Sequence, residues 1–204
     1  MSERGQEREI KFYVLHLDRL ITRLQDMNAR LAQPRVLETN LRFDLPDGSL
    51  RTAGRVLRLR RDTKARLTYK GAGQSDQGIL DRQEIEFVVD NFEMARKFLE
   101  ALGYQQSMVY EKYRTTYEID DVSVMLDELP YGNFVEIEGE TNEQIQTLSQ
   151  KLHLDKDAAI GNSYAGLFDN IRKALQLSFQ DLIFENFTGI QITADQLGVR
   201  PADQ

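Results

Sequence analysis

Glu7-Arg8-Glu9-Ile10-Lys11-Phe12-Tyr13-Val14 decides how the chain is read. Successive side chains of a strand point to opposite faces. Glu7, Glu9 and Lys11 then share one face, and Ile10, Phe12 and Val14 take the other. The pattern recurs. Arg58 and Arg60 alternate with Leu57 and Leu59. Arg82, Glu84 and Glu86 alternate with Ile85 and Phe87. Lys112 and Arg114 alternate with Glu111, Tyr113 and Thr115, and Glu136 and Glu138 with Val135 and Ile137. A sheet built from such segments must turn its charged face to water or close it around a polar ligand.

Composition narrows the choices. The chain has 204 residues, 41% hydrophobic and 29% charged, enough to bury a core. A net charge of −7 argues against a general nucleic-acid binder. Cysteine is absent, which removes disulfides and thiolate metal sites. Carboxylates remain as ligands, and they suit hard cations such as Mg²⁺ or Mn²⁺. No apolar run has membrane length and no signal-peptide core follows Met1. The expected compartment is the cytoplasm, with no membrane partner.

In chain order, strands are expected at 6–14, 35–44, 54–61, 65–70, 80–89, 106–119, 122–128 and 134–140. Helical spacing of Leu17, Leu20, Ile21, Leu24, Met27 and Leu31 predicts a helix from His16 to Leu31. Pro34 marks a new start after it. Asn91 caps a helix to about Leu102, ended by Gly103; Thr141 with Gln144 forms a capping box; Ser163 caps a helix to about Leu177. Short turns between strands suit antiparallel pairing. Helices must then cover the apolar face of the sheet. Leu182, Ile183, Phe184 and Phe187 are expected to pack on the domain or on a second copy in a homodimer, and the polar end around Pro201 to fray.

At this point the residues carry a resemblance. Glu7-x-Glu9-x-Lys11 resembles the signature of the CYTH domain, or triphosphate tunnel metalloenzymes. Val56-Leu57-Arg58-Leu59-Arg60 is similar to the paired-arginine strand of that family, and Thr68-Tyr69-Lys70-Gly71 to its lysine-ending strand. Glu111-Lys112-Tyr113-Arg114, Leu126-Asp127-Glu128 and Phe134-Val135-Glu136-Ile137-Glu138 resemble its later strands, and Ser163-Tyr164 the start of its last helix. Any one segment reads equally well as a solvated strand face with cross-strand ion pairs. Six in the same order do not.

The resemblance implies an α+β fold, an eight-stranded antiparallel β-barrel with helices packed outside. It implies a tunnel domain over residues 1–178 and a C-terminal extension over 179–204, partly packed or frayed. The expected partner is a triphosphate-bearing small molecule: tripolyphosphate, thiamine triphosphate or a nucleoside triphosphate. Lys11, Arg58, Arg60, Lys70, Arg82, Lys112 and Arg114 are the expected substrate cations. Glu7, Glu9, Asp127, Glu136 and Glu138 are the expected metal ligands for Mg²⁺ or Mn²⁺. Glu9 and Lys11 are the expected catalytic pair. Arg8 and Glu111 should point outward.

The reaction implied first is metal-dependent hydrolysis of the triphosphate. The alternatives are class IV adenylate cyclisation and a non-catalytic polyphosphate or nucleotide sensor. Two features favour hydrolysis. The His-Phe prefix of some cyclases is missing, since Ser2-Glu3-Arg4-Gly5-Gln6 stands there, and Glu136-x-Glu138 keeps both closing-strand glutamates. Asn40 stands where many relatives carry Asp. His16 and His153 have no partner spacing for catalysis. Gly71-x-Gly73 has no following helix and is no nucleotide fingerprint.

Overall fold

The structure, a computed structural model, describes residues 5–204. Ser2 to Arg4, part of the stretch compared with the cyclase prefix, lie outside the described residues. Nine antiparallel strands form one sheet: β1 (Gln6–Val14), β2 (Arg30–Asp44), β3 (Val56–Arg61), β4 (Ala65–Lys70), β5 (Gln74–Asp76), β6 (Ile79–Val89), β7 (Gln105–Ile119), β8 (Val122–Leu129) and β9 (Gly132–Glu138). The order β1-β9-β8-β7-β2-β3-β4-β6 closes through pairing of β1 with β6. The barrel is therefore eight-stranded, as the resemblance implies, and β5 is a three-residue addition to β6 between the expected strands 65–70 and 80–89. Closure leaves the barrel strands without a free edge.

Local chemistry explains the turns. Asp120 and Asp121 both take positive φ, 48° and 61°, which makes a two-residue turn matched to strand twist between β7 and β8. Between β8 and β9 the chain turns at Pro130-Tyr131, and Gly132 follows at φ 142°. A Cβ there would lie 2.7 Å from the Tyr13 ring, so only glycine fits.

Helices cover the barrel. On α1 (Leu17–Asp26) and α4 (Asn142–Lys151), Leu20, Leu24, Ile145 and Leu148 are buried. They join Ile10, Phe12, Val14, Val124, Val135 and Ile137 in one apolar cluster. α3 (Phe92–Ala101) adds Leu99 to a second cluster with Leu41, Phe43, Leu57 and Leu59. α5 (Tyr164–Ala174) packs Leu167, Phe168 and Ile171 against Tyr13, Tyr110 and Phe134. The caps of α3, α4 and α5 are Asn91, Thr141 with Gln144, and Ser163, as read from sequence. A one-turn helix, α2 (Ser49–Thr52), was not foreseen.

Three expectations are corrected. The first helix stops at Asp26, not Leu31. Asn28 adopts φ 57° and the Ala29 amide donates back to the Leu24 carbonyl, which ends the helix, and Leu31 pairs with Tyr117 in β2. Pro34 does not start a new element. It sits inside β2 between register shifts at Gln33 and Val36, where a missing N–H is tolerated. The helix capped by Ser163 ends at Ala174, three residues short of Leu177.

The C-terminal end is docked rather than frayed. The Ala202 amide donates to the Tyr13 carbonyl, and the Asp155 amide to the Ala202 carbonyl. Asp203 is buried, and its carboxylate accepts from the Leu15 amide (2.9 and 3.1 Å) and the His16 amide (2.7 Å) at the end of β1. Phe187 is buried in the α5 cluster, alongside α6 (Ala194–Leu197), and Phe184 packs tilted against Tyr113 with ring centroids 5.2 Å apart, so both phenylalanines pack within the chain. Hydrogen bonds to a charged group contribute about 1.5–3 kcal/mol each. Asp203→Ala is expected to cost roughly 2–4 kcal/mol, lowering the melting temperature by roughly 5–12 °C. Differential scanning calorimetry checks this; an unchanged midpoint would mean that the clasp adds nothing.

Candidate functional site

The inward faces of the eight strands enclose a cavity of about 660 Å³. Nine cations line it, and so do nine carboxylates. All seven expected substrate cations are among them, as are Glu7, Glu9, Glu136 and Glu138. Arg8 and Glu111 point outward, as alternation requires. Arg8 pairs with Asp81 on the outer surface, and Glu111 accepts from the Phe184 amide.

Register brings the first and last strands together. Glu9 is opposite Glu138 and Lys11 opposite Glu136 across β1 and β9, while Glu7 is opposite Arg82 across β1 and β6. Glu7 accepts from Lys70 at 2.5 Å and Arg82 at 2.8 Å. Lys11 lies 3.1 Å from Glu136 and 3.9 Å from Glu9, with its ammonium 4.5 Å from the Tyr164 ring centroid. Arg82 reaches Glu9 at 3.3 Å.

The opposite wall is a denser network. Arg60 contacts Glu86 at 3.2 Å and Glu38 at 3.4 Å, and Arg58 contacts Glu86 at 3.4 Å and donates to the Tyr110 hydroxyl. Burial works against the charge on Arg58, but Tyr110 and Glu86 hold its guanidinium above the ordinary value. Asp127 is 0% exposed and does not reach the cavity wall. Its oxygens accept from Lys112 at 2.8 Å, Arg114 at 2.6 Å and the Tyr164 hydroxyl at 2.8 Å. It therefore sits behind the site and holds two cations in place.

Sequence reading did not assign Glu38, Arg42, Arg66, Glu84, Glu86, Tyr110 or Tyr164 to the site. For all but Tyr164, which opens α5, alternation on β2, β4, β6 and β7 was the available signal. Glu38 is the most consequential. Burial raises its carboxyl, but Lys112, Arg114 and Arg60 outweigh burial and hold it at about 2, below its ordinary 4.5. A group with a depressed folded-state pKa stabilises fully above the unfolded value and loses that contribution as pH falls. Acid titration from pH 5 to pH 2 is expected to remove on the order of 2–3 kcal/mol through Glu38. Glu38→Gln should flatten that part of the stability curve; an unchanged curve would contradict the role given to Glu38.

The donor set suits a hard divalent cation on two counts. Glu138 makes no hydrogen bond or ion pair among the described residues. Burial first, then the charges of Glu7 and Glu84, push its carboxyl up to about 7. The wall is also charge-balanced, so a polyanion entering alone would leave it strongly negative. A divalent cation relieves both. Among the described residues no three carboxylates are already arranged as a chelate.

The fold and sequence comparisons agree with this geometry. The CYTH domain family model matches residues 5–160. A proposed adenylate cyclase from Vibrio parahaemolyticus is similar in structure, with TM-score 0.71 and 22% identity over 79% of this chain and 97% of that one. A Pyrococcus horikoshii protein gives 0.67 at 23% identity, covering 78% and 96%. A proposed adenylyl cyclase of Hippeastrum, described as having a dominant triphosphatase activity, gives 0.61 at 17% identity, covering 80% and 95%. No curated protein matches the sequence. Among the described residues no helix is long and apolar enough to cross a membrane. With its model matched over most of the barrel and its motifs lining one tunnel, the chain belongs to the CYTH family, which holds triphosphatases and class IV adenylate cyclases.

Proposed function

We propose that the tunnel binds a triphosphate together with Mg²⁺ or Mn²⁺ and hydrolyses its terminal phosphoanhydride bond. One observation carries this reading: nine cations and nine carboxylates line one barrel interior of about 660 Å³. Lys11, Arg58, Arg60, Lys70, Arg82, Lys112 and Arg114 take the phosphate oxygens, arginine by its bidentate fork and lysine as a point charge. Glu7, Glu136 and Glu138 would hold the metal, which when bound supplies charge neutralisation at the phosphoryl oxygens. Phosphoryl transfer needs mainly positioning and charge stabilisation, so no protein nucleophile is required. Glu9 orients the attacking water and accepts its proton, with Lys11 placed to hold an outer oxygen. Asp127 serves as the anchor of Lys112 and Arg114, and is the weakest candidate among the carboxylates first considered as metal ligands. The dominant triphosphatase activity described for the Hippeastrum relative favours hydrolysis over cyclisation.

Linkage supplies a test that does not depend on turnover. At a hundredfold excess over its dissociation constant a ligand adds about 2.7 kcal/mol of stability. Tripolyphosphate with Mg²⁺ at low salt is expected to raise the melting temperature by roughly 5–10 °C. Lys70→Ala or Arg114→Ala should reduce that shift far more than Arg8→Ala. No shift at saturation would remove the support for a triphosphate tunnel.

A further inference from the structure

Five buried side-chain polar atoms of the described residues have no hydrogen-bond partner: Glu38 Oε2, both amide atoms of Asn40, Arg58 Nε and Arg60 Nε. All five lie on β2 and β3. Asn40 is 0% exposed and shares a face of β2 with Glu38 and Arg42 by alternation, behind the cavity wall rather than on it. Its ladder partners are Arg60 and Tyr110. Buried amides are seldom left without partners, because the desolvation cost then goes uncompensated.

Arg42 is the next inward residue on the same strand and lines the cavity. Each of the other eight cavity-wall cations has a carboxylate within ion-pair distance. Arg42 has none among the described residues. It stands directly opposite Arg58, a like charge. Burial, together with Arg58, keeps its guanidinium below the ordinary value. Among the described residues this stretch thus holds the unpaired Arg42 guanidinium and two arginine Nε donors, on Arg58 and Arg60, that meet no hydrogen-bond acceptor. An anionic oxygen supplies what is missing.

We infer that Arg42 and Arg58, backed by the buried Asn40 amide, form a phosphoryl-binding subsite that takes the terminal phosphate of the chain. The terminal group carries the most negative charge, and Arg42 is the cation not already neutralised by a carboxylate. Arg42 and Arg58 donate to its oxygens with the Asn40 amide buried behind them, Lys11 reaches an outer oxygen from β1, and the remaining ion-paired cations hold the inner phosphates. The inference rests on the triphosphate reading above and assigns β2 a part in choosing the substrate.

Steady-state kinetics with inorganic tripolyphosphate and Mg²⁺ test it, alongside melting temperatures of the empty proteins. Arg42→Gln is expected to raise KM roughly ten- to hundredfold with little change in kcat, the signature of lost ground-state binding. Asn40→Asp should move two readouts in opposite directions. A carboxylate beside Arg58 and Arg60 raises the melting temperature of the empty protein, and it repels the phosphate and raises KM. An Arg42→Gln protein with unchanged KM overturns the inference, even if Asn40→Asp alters stability. So does an Asn40→Asp protein whose melting temperature alone changes, because Asn40 would then be holding only water. If the parent protein neither turns over tripolyphosphate nor is stabilised by it, the triphosphate reading itself falls. Parent activity with indifferent variants removes only the subsite.

Discussion

Glu138→Gln is expected to abolish most phosphate release and yet to make the empty protein more stable. Glu138 has no cationic partner among the described residues, lies opposite Glu9, and feels Glu7 and Glu84. At pH 8 its carboxyl is ionised, so the neutral amide relieves repulsion by about 1 kcal/mol and raises the melting temperature by roughly 2–4 °C. Activity moves the other way. In the proposed reaction Glu138 is a metal ligand, and its removal withdraws charge stabilisation where it is needed, so a loss of about a hundredfold or more in kcat is expected. Calorimetry and phosphate release on the same preparation check both signs. Parallel loss of stability and activity would show that Glu138 holds the barrel together rather than a ligand.

The second large effect concerns stability. Asp127→Ala leaves Lys112 and Arg114 buried with their main counter-charge gone. Removing one partner of a buried ion pair typically costs about 3–5 kcal/mol, since the remaining charge is stranded. Two cations share Asp127, and Tyr164 loses its acceptor as well. Urea denaturation should therefore show a loss at the upper part of that range. Lys112 keeps Glu38 at 3.7 Å and Arg114 keeps Glu136, so the protein is expected to fold at low temperature. A loss below about 1 kcal/mol would mean that water reaches these cations freely.

Much of the barrel was legible because most of its strands alternate between charged and apolar side chains. Glu7, Glu9 and Lys11 against Ile10, Phe12 and Val14 fixes which face of β1 meets helices and which lines the cavity. The same period placed Arg58, Arg60, Lys112, Arg114, Glu136 and Glu138 on the wall. Where local chemistry interrupts a period, the reading failed. The apolar spacing of α1 runs on through Met27 and Leu31, but Asn28 takes a left-handed conformation and the chain enters β2. Nothing in the periodicity signals that.

The second gap is pairing. Sequence alternation says that Asp127 faces inward, but only the register and the reach of Lys112, Arg114 and Tyr164 show that it is screened from the cavity. Likewise Glu38, Asn40 and Arg42 share one face of β2 by alternation, but their significance depends on which of them finds a partner. The tail was misjudged for a different reason. Pro201, Ala202 and Asp203 have no periodicity at all, and their docking rests on backbone amides at Tyr13, Leu15 and His16, far away in sequence.

Product analysis from ATP tests the account most directly. Purified protein is incubated with ATP and Mg²⁺ or Mn²⁺, with a parallel sample in excess EDTA, and all phosphorus-containing products are identified. A water held by Glu9 in line with the terminal phosphate yields ADP and inorganic phosphate, with none formed in EDTA. Cyclic AMP with pyrophosphate as the main products, or full activity without a divalent cation, would contradict the assignment.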